Sequence, residues 1–239
     1  MHPLIFKGIC HRGLHNKDDI ENGMRAFSNA LREGMALELD VHLSLDGELV
    51  VCHDSDLSRV TGRPGIIEHL NYPEIVRDYP LLDGETVPTL SQVFDLIREQ
   101  VPIVLELKVF ENNFKELCKA VARALRSIRD KRSILLISFD PRALFPFRKS
   151  GFVRQLLVST GHRETLSLGR FFEGLDLDWQ FFKEESVRNY SKRRVVNVWT
   201  IDTEEKLNMV LPFTDTVTFQ HLDTEIIKSC LKDKPDMSV

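Results

Sequence analysis

The apolar positions of the chain follow two rhythms, and the rhythms alternate. Short runs at 4–10 (LIFKGIC), 36–41, 102–108 (PIVLELK), 133–138, 153–159, 175–178, 195–200 and 215–219 are apolar or alternate with polar residues, which predicts strands. Between them the apolar residues spread to helical spacing. Met24, Phe27, Ala30 and Leu31 mark a helix over 21–34, with Gly34 as its stop. Leu117, Val121, Ala124, Leu125 and Ile128 stripe a longer one over about 113–129. A helix over 90–98 opens behind Thr89 as its N-cap, and shorter helices are predicted over 141–150, 164–172, 184–191, 204–211 and 224–231.

Eight strands alternating with helices predict an α/β fold, a single parallel (β/α)8 or TIM barrel over 1–239. A doubly wound open sheet is the runner-up, but no GxGxxG follows the first strand. The stretch from about 43 to 88 breaks the rhythm. It has a further strand over 48–52 behind an Asp46-Gly47 turn, then a turn-rich segment with Gly62, Pro64, Gly65, Pro73, Pro80 and Gly84. It reads as a small excursion, or cap, inserted after the second strand.

Composition changes this picture little. At 239 residues, 42% hydrophobic and 28% charged, the chain has the make-up of a soluble globular protein with a sizeable core. The formal charge of -4 gives no reason to expect nucleic acid as a partner. The clusters Lys131-Arg132 and Lys192-Arg193-Arg194 read as solvated surface. Cys10, Cys52, Cys118 and Cys230 are scattered without a CxxC pair, and Cys10 and Cys52 read as small core residues. The N-terminus lacks the pattern of a secretory signal, and no stretch nears the ~20 apolar residues of a transmembrane segment, so a cytoplasmic address is expected. Assembly into a homo-oligomer is compatible with the sequence.

In a (β/α)8 barrel the active site is built at the C-terminal ends of the strands. Glu38 and Asp40 lie two apart on the second strand, hence on one face and roughly 6–7 Å from each other, with Leu37, Leu39 and Val41 opposite. By themselves, two such acids are equally well explained by a buried ion pair or a solvated strand end. Their company changes that. Glu106 and Lys108 repeat the arrangement on the third strand, His11 and Arg12 end the first, and His53 lies just past the second. Ser138, Trp199 and Gln220 stand at the ends of the fourth, seventh and eighth. Three carboxylates, Glu38, Asp40 and Glu106, make a hard oxygen site for one divalent metal ion, Mg2+ or Ca2+. Arg12 and Lys108 suit a substrate that brings negative charge, the arginine fork matching phosphate. His11 and His53 can serve as general base and general acid. Together these residues predict phosphoryl transfer. Trp199 fits the core or the substrate equally, and residues 178–180 are expected to extend toward the substrate. His15 is near the mouth but reads as a loop residue, and His221 fits the site and the surface equally. His42 and His69 read as surface or loop residues, and Gly13 as a tight turn.

At this point the wording itself is informative. HRG (11–13), EN (21–22), AF (26–27), ELDV (38–41), DG (46–47), VVCHD (50–54), LSRVTG (57–62), PTL (88–90), ELK (106–108) and VWTID (198–202) resemble the glycerophosphodiester phosphodiesterase family. The resemblance runs nearly end to end, with its spacing kept through the first 110 residues. It implies a TIM barrel that uses a divalent metal to hydrolyse a small-molecule glycerophosphodiester substrate to an alcohol and glycerol 3-phosphate. It places the catalytic histidines on His11 and His53, the metal carboxylates on Glu38, Asp40 and Glu106, and the phosphate contacts on Arg12 and Lys108. Glu21 and Asn22 match the family's Glu-Asn pair and, with Trp199, are expected to line the substrate. One histidine would help the glycerol 2-hydroxyl attack phosphorus while the other protonates the leaving alcohol, and water would then open the cyclic phosphate. Departures occur at Ile20 and Gly23, where the family usually has Pro and Thr, and at Phe219-Gln220-His221. Neither is expected to touch the catalytic core. Two other functions fit the same residues: a phospholipase D-like cyclising lyase on lysophospholipids, and a non-catalytic barrel that binds a phosphorylated ligand.

Overall fold

Nine strands occur among the described residues of the computed structural model, which are 1–191 and 195–231. They are β1 (Ile9–Cys10), β2 (Ala36–Leu43), β3 (Leu49–Val51), β4 (Ile103–Leu107), β5 (Ile134–Ser138), β6 (Val153–Val158), β7 (Gly174–Asp178), β8 (Val195–Ile201) and β9 (Thr216–Phe219). Eight pair in parallel in the order β1-β2-β4-β5-β6-β7-β8-β9, and β9 pairs back onto β1, so the sheet closes into a barrel. Closure rules out the open sheet. β3 stands outside this ring, antiparallel to the end of β2. The helices are α1 (Met24–Arg32), α2 (Ser58–Thr61), α3 (Tyr72–Asp78), α4 (Leu90–Ile97), α5 (Phe114–Ala124), α6 (Pro141–Leu144), α7 (Glu185–Ser191), α8 (Glu204–Val210) and α9 (Thr224–Leu231). Among the described residues no helix is long and apolar enough to cross a membrane. Thr89 caps α4 as expected, in a reciprocal pair with Gln92.

The period of two along each strand sorts side chains between two cores. Leu37, Leu39 and Val41, with Leu105 and Leu107, pack in the large cluster shared with the helices. Ala36 and Val104 belong to the interior cluster with Ile5, Leu135, Ile137 and Leu157. Glu38, Asp40 and Glu106 share the parity of that second set and so enter the barrel. The register sets Asp40 beside Glu106 and Glu38 beside Val104.

The 4–10 run is mostly not a strand. Pro3–Lys7 forms a 3-10 helix, Gly8 turns at φ 105°, and only Ile9–Cys10 pair. Proline at the start favours helical backbone, and the apolar residues plug the N-terminal end of the barrel, with Ile5 fully buried. The predicted helix over 21–34 begins only at Met24, because Glu21 and Asn22 are drawn into the site. That over 113–129 tightens into a 3-10 turn at Leu125–Ser127, and that over 164–172 is a 3-10 helix, Thr160–Phe171.

The excursion has a small core of its own, including Val50, Cys52, Leu57, Ile67, Ile75 and Val87. Cys10 and Cys52 are buried free thiols, as expected. Arg132 pairs with Asp130 on the surface, whereas Lys192-Arg193-Arg194 lies outside the described residues.

Candidate active site

His11 follows β1 directly, its backbone N–H donating to the Phe219 carbonyl at 2.9 Å. Its Nδ1 donates to Gln220 Oε1 at 2.8 Å, which leaves Nε2 as the free ring nitrogen. Arg12 takes a positive φ of 54°, and its N–H donates to Glu38 Oε2 at 2.9 Å. Gly13, at φ 81°, completes the turn, and a Cβ there would lie 2.9 Å from the Ala26 backbone. His53 stands beyond β3, with Nδ1 donating to Asp54 Oδ1 at 2.7 Å. Its backbone carbonyl accepts from His42 Nε2 at 3.1 Å. Both His11 and His53 line one cavity of about 410 Å3, together with Arg12, Glu38, Glu106 and Trp199. A wider opening of about 830 Å3 shares His53 and Glu106 with it and is lined by Lys108.

One oxygen from each of Glu38, Asp40 and Glu106 falls within 4.8 Å of the others. Oxygen ligands stand about 2.0–2.6 Å from Mg2+ or Ca2+, so two ligands of one ion are at most about 5 Å apart, and the cluster fits. Two features of the protein show that it could hold a metal ion. Asp40 Oδ1 is buried without a hydrogen-bond partner among the described residues, with only the Lys108 ammonium nearby at 3.4 Å. Burial pushes Glu106 up to about 7, and burial with the Asp40 charge drives Glu38 well above the usual carboxylate range, so the cluster retains protons that a cation would displace. Asp40 goes the other way. Burial opposes its ionisation, but Lys108, His53, Arg12 and the Asn22 amide outweigh it and hold it below the ordinary value.

The cations are engaged with these acids. Lys108 Nζ is 3.0 Å from Glu106 Oε1 and 3.4 Å from Asp40 Oδ1. Arg12 Nε is 3.6 Å from Asp40 Oδ2, and its Nη1 donates to Glu21 Oε1 at 2.7 Å. Burial and the neighbouring Arg12 push the His11 pKa down to about 4. Burial lowers His53 as well, while Asp40 and Asp54 pull in the opposite direction.

Ten residues were expected here, and the structure gathers them with differences in role. His11, His53, Arg12, Lys108, Glu38, Asp40, Glu106 and Trp199 all line the two openings, apart from Asp40, which is buried among them. Asn22 does not line the substrate space: it is buried, and its Nδ2 donates to Asp40 Oδ2 at 2.9 Å. Glu21 faces Arg12 and Arg59 instead, and burial, although opposing, is outweighed by the two guanidinium groups, which hold it near 2. Ser138 is used up between the Leu107 carbonyl and the Asp140 N–H. Asp178 caps the 3-10 helix Trp179–Lys183 instead of extending toward substrate. His42 is not a surface residue: it is buried against Glu68, Nδ1 to Oε1 at 2.6 Å. Ser55 approaches the same ring nitrogen as Glu68, so this trio lacks the relay geometry of a hydrolytic triad.

Three contributors were missed, and a fourth, Gln220, was placed at its strand end but not expected to touch the candidate catalytic residues, whereas it contacts His11 directly. Asp54 and Arg59 belong to the cap and announce themselves only in three dimensions. Asp176 lines the cavity floor, fully buried, with Asn197 Nδ2 donating to it at 2.8 Å. Its signal was present, since GLDLD alternates acids as ELD does.

Comparison with known proteins identifies the family and agrees with the fold. A family model described as the glycerophosphoryl diester phosphodiesterase family matches residues 11–220. A glycerophosphodiester phosphodiesterase from Caldanaerobacter subterraneus subsp. tengcongensis is 28% identical over 84% of this chain and 96% of its own. A human protein named as a lysophospholipase D is 30% identical over 72% of this chain and 57% of its own. Among solved structures, a phosphodiesterase of Oleispira antarctica in complex with the product sn-glycerol-3-phosphate superposes with a TM-score of 0.79 at 26% identity, covering 94% of this chain and 96% of that one. A glycerophosphodiester phosphodiesterase of Thermotoga maritima gives 0.76 at 26%, covering 97% and 99%.

Proposed function

The chain belongs to the glycerophosphoryl diester phosphodiesterase family and is a phosphoric diester hydrolase, and on that premise we propose that it cleaves glycerophosphodiesters to an alcohol and glycerol 3-phosphate by two-histidine acid–base catalysis. The carrying observation is that His11 and His53 line one cavity, each with Nδ1 engaged and Nε2 left for proton transfer. Their anchors differ. His11 donates to a neutral amide and is pushed down to about 4, so it is an unprotonated base at neutral pH. His53 is lowered as well, by burial together with Lys108 and Arg12. Its Nδ1, however, donates to the Asp54 carboxylate, which stabilises an imidazolium better than the Gln220 amide does, so of the two rings it is the better suited to give up a proton to the leaving alcohol.

In the proposed first step His11 Nε2 takes the proton of the glycerol 2-hydroxyl, whose oxygen attacks phosphorus. The P–O bond to the alcohol breaks, and His53 gives that oxygen its proton. In the second step His53 removes a proton from water, water opens the cyclic phosphate, and His11 returns its proton to the 2-hydroxyl. Arg12 and Lys108 hold the phosphate oxygens. Glu38, Asp40 and Glu106 would hold one divalent cation, Mg2+ or Ca2+, which when bound neutralises charge developing on the phosphoryl group. The proposal includes a single barrel domain over 1–239, with 43–88 as the cap that carries His53, and a cytoplasmic place of action.

A second reading is favoured by the lysophospholipase D relative: an acylated glycerol in the substrate, or release of the cyclic phosphate as product. Phosphorus NMR of reactions with glycerophosphocholine, glycerophosphoethanolamine, glycerophosphoinositol and a lysophospholipid, each with Mg2+, with Ca2+ and with chelator, separates them. Metal-dependent glycerol 3-phosphate from the deacylated diesters is expected. A persistent cyclic phosphate, or turnover of the lysophospholipid alone, would overturn the first reading.

A further inference from the structure

Arg59 does not line the cavity, and half of its side chain is in solvent, yet both functional halves of the site meet on it. It stands on α2, in the cap. Its Nε donates to Asp54 Oδ2 at 2.6 Å, and the other oxygen of Asp54 holds His53 Nδ1 at 2.7 Å. Its Nη2 donates to Glu21 Oε1 at 2.8 Å, and that same oxygen holds Arg12 Nη1 at 2.7 Å. The chain of contacts therefore runs from the cap histidine to the barrel arginine through a single guanidinium.

We propose that Arg59 is a positioning residue, a clasp between cap and barrel that holds His53 through Asp54 and Arg12 through Glu21 in the arrangement the reaction needs. The inference rests on the proposed function above. Two physical points carry it. The Arg59–Asp54 pair is exposed, and such a pair contributes at most about 1 kcal/mol to stability, so it is poorly explained as a fold-holding contact, particularly since α2 is already anchored by buried Leu57 and Val60. And a planar fork fixes the separation of its two acceptors, which an ammonium on a flexible stem does not. Among the described residues, the Asp54 carboxylate is anchored by His53 and Arg59 alone. Without the guanidinium it turns to water, and the His53 ring loses its tether. A misplacement of about 1 Å at a reacting group costs on the order of 100-fold in rate.

The test uses the full chain as wild type, Arg59→Ala, Arg59→Lys, Asp54→Asn and the Arg59→Ala/Asp54→Asn pair. Glycerol 3-phosphate release should fall about ten- to a hundredfold in kcat for Arg59→Ala, with thermal stability nearly unchanged. Guanidinium ion should restore part of that loss, and Arg59→Lys should keep only part of the rate. The pair should lose little more than Asp54→Asn does, because both act along one line of contacts. A second readout needs no turnover: nitrogen-resolved NMR of the histidine rings, with His53→Gln to identify the signal. Wild-type His53 should carry its proton on Nδ1, and Arg59→Ala should mix the two tautomers. Wild-type kinetics and an unchanged ring spectrum in Arg59→Ala would overturn the clasp, as would full additivity in the pair. A tautomer change in a protein that releases no glycerol 3-phosphate would sink the proposed function and leave the clasp standing.

Discussion

Asp176 shows how much one buried residue is left to a single neighbour. Burial pushes its carboxyl up to about 7, with the Glu106 charge adding and the Asn197 hydrogen bond opposing. A raised carboxyl pKa means the native state keeps its proton longer than the unfolded chain does. The associated stability is full below the ordinary value of ~3.8 and is lost as pH rises to about 7. Asp176→Asn removes that titration. With chelator present, its melting temperature relative to wild type should climb between pH 4 and pH 8, by roughly 2–4 °C for each kcal/mol involved. A constant offset across that range would contradict the burial argument. The two histidines proposed as base and acid make a different prediction. His11→Ala and His53→Ala should each lower turnover by at least ~10²–10⁴ with little loss of stability, and a variant that keeps more than about a tenth of the rate is not missing an acid or a base.

Among elements, the shortest strand is the most instructive. β1 is two residues long, yet it pairs on both sides and closes the barrel. The 3-10 helix before it supplies what a longer strand would have, an apolar plug. Ile5 is wholly buried there. Ile5→Ala should therefore cost about 2–4 kcal/mol, read as a lower urea midpoint with an unchanged slope. A shift below about 0.5 kcal/mol would mean that the plug is not packed as described. The cap is the other informative element. Its own small core lets it hold Asp54 and Arg59 at fixed positions over the mouth, so loop chemistry rests on a packed support.

For the whole molecule, the consequence of closing the barrel is that acids from β2 and β4 are forced together in its mouth. Glu106 is protonated below about 7, so a cation arriving at pH 6 must displace a proton that has already left at pH 8. Calorimetric titration with Mg2+ or Ca2+ should show affinity falling by up to about tenfold per pH unit below 7, with proton release into the buffer. Glu106→Gln should weaken binding and flatten that dependence. Equal affinity at both pH values would remove Glu106 from the ligand set.

The chain by itself determined the alternation of eight strands with helices, the Thr89 cap and the Gly34 stop, because these depend on local periodicity and backbone preference. It also determined that Glu38 shares a face with Asp40, and Glu106 with Lys108, since parity along a strand is local. Only the tertiary structure decided how the polar residues divide between chemistry and support. Asn22 serves Asp40, Gln220 serves His11, Asp54 serves His53, and His42 is buried under the cap, through hydrogen bonds that mostly join residues far apart in sequence. Arg12 and Arg59 meet at Glu21 from opposite sides of the cap–barrel boundary. No periodicity records such a meeting, because a hydrogen bond is fixed by distance and angle in space, and those are set only once the ring of strands has closed.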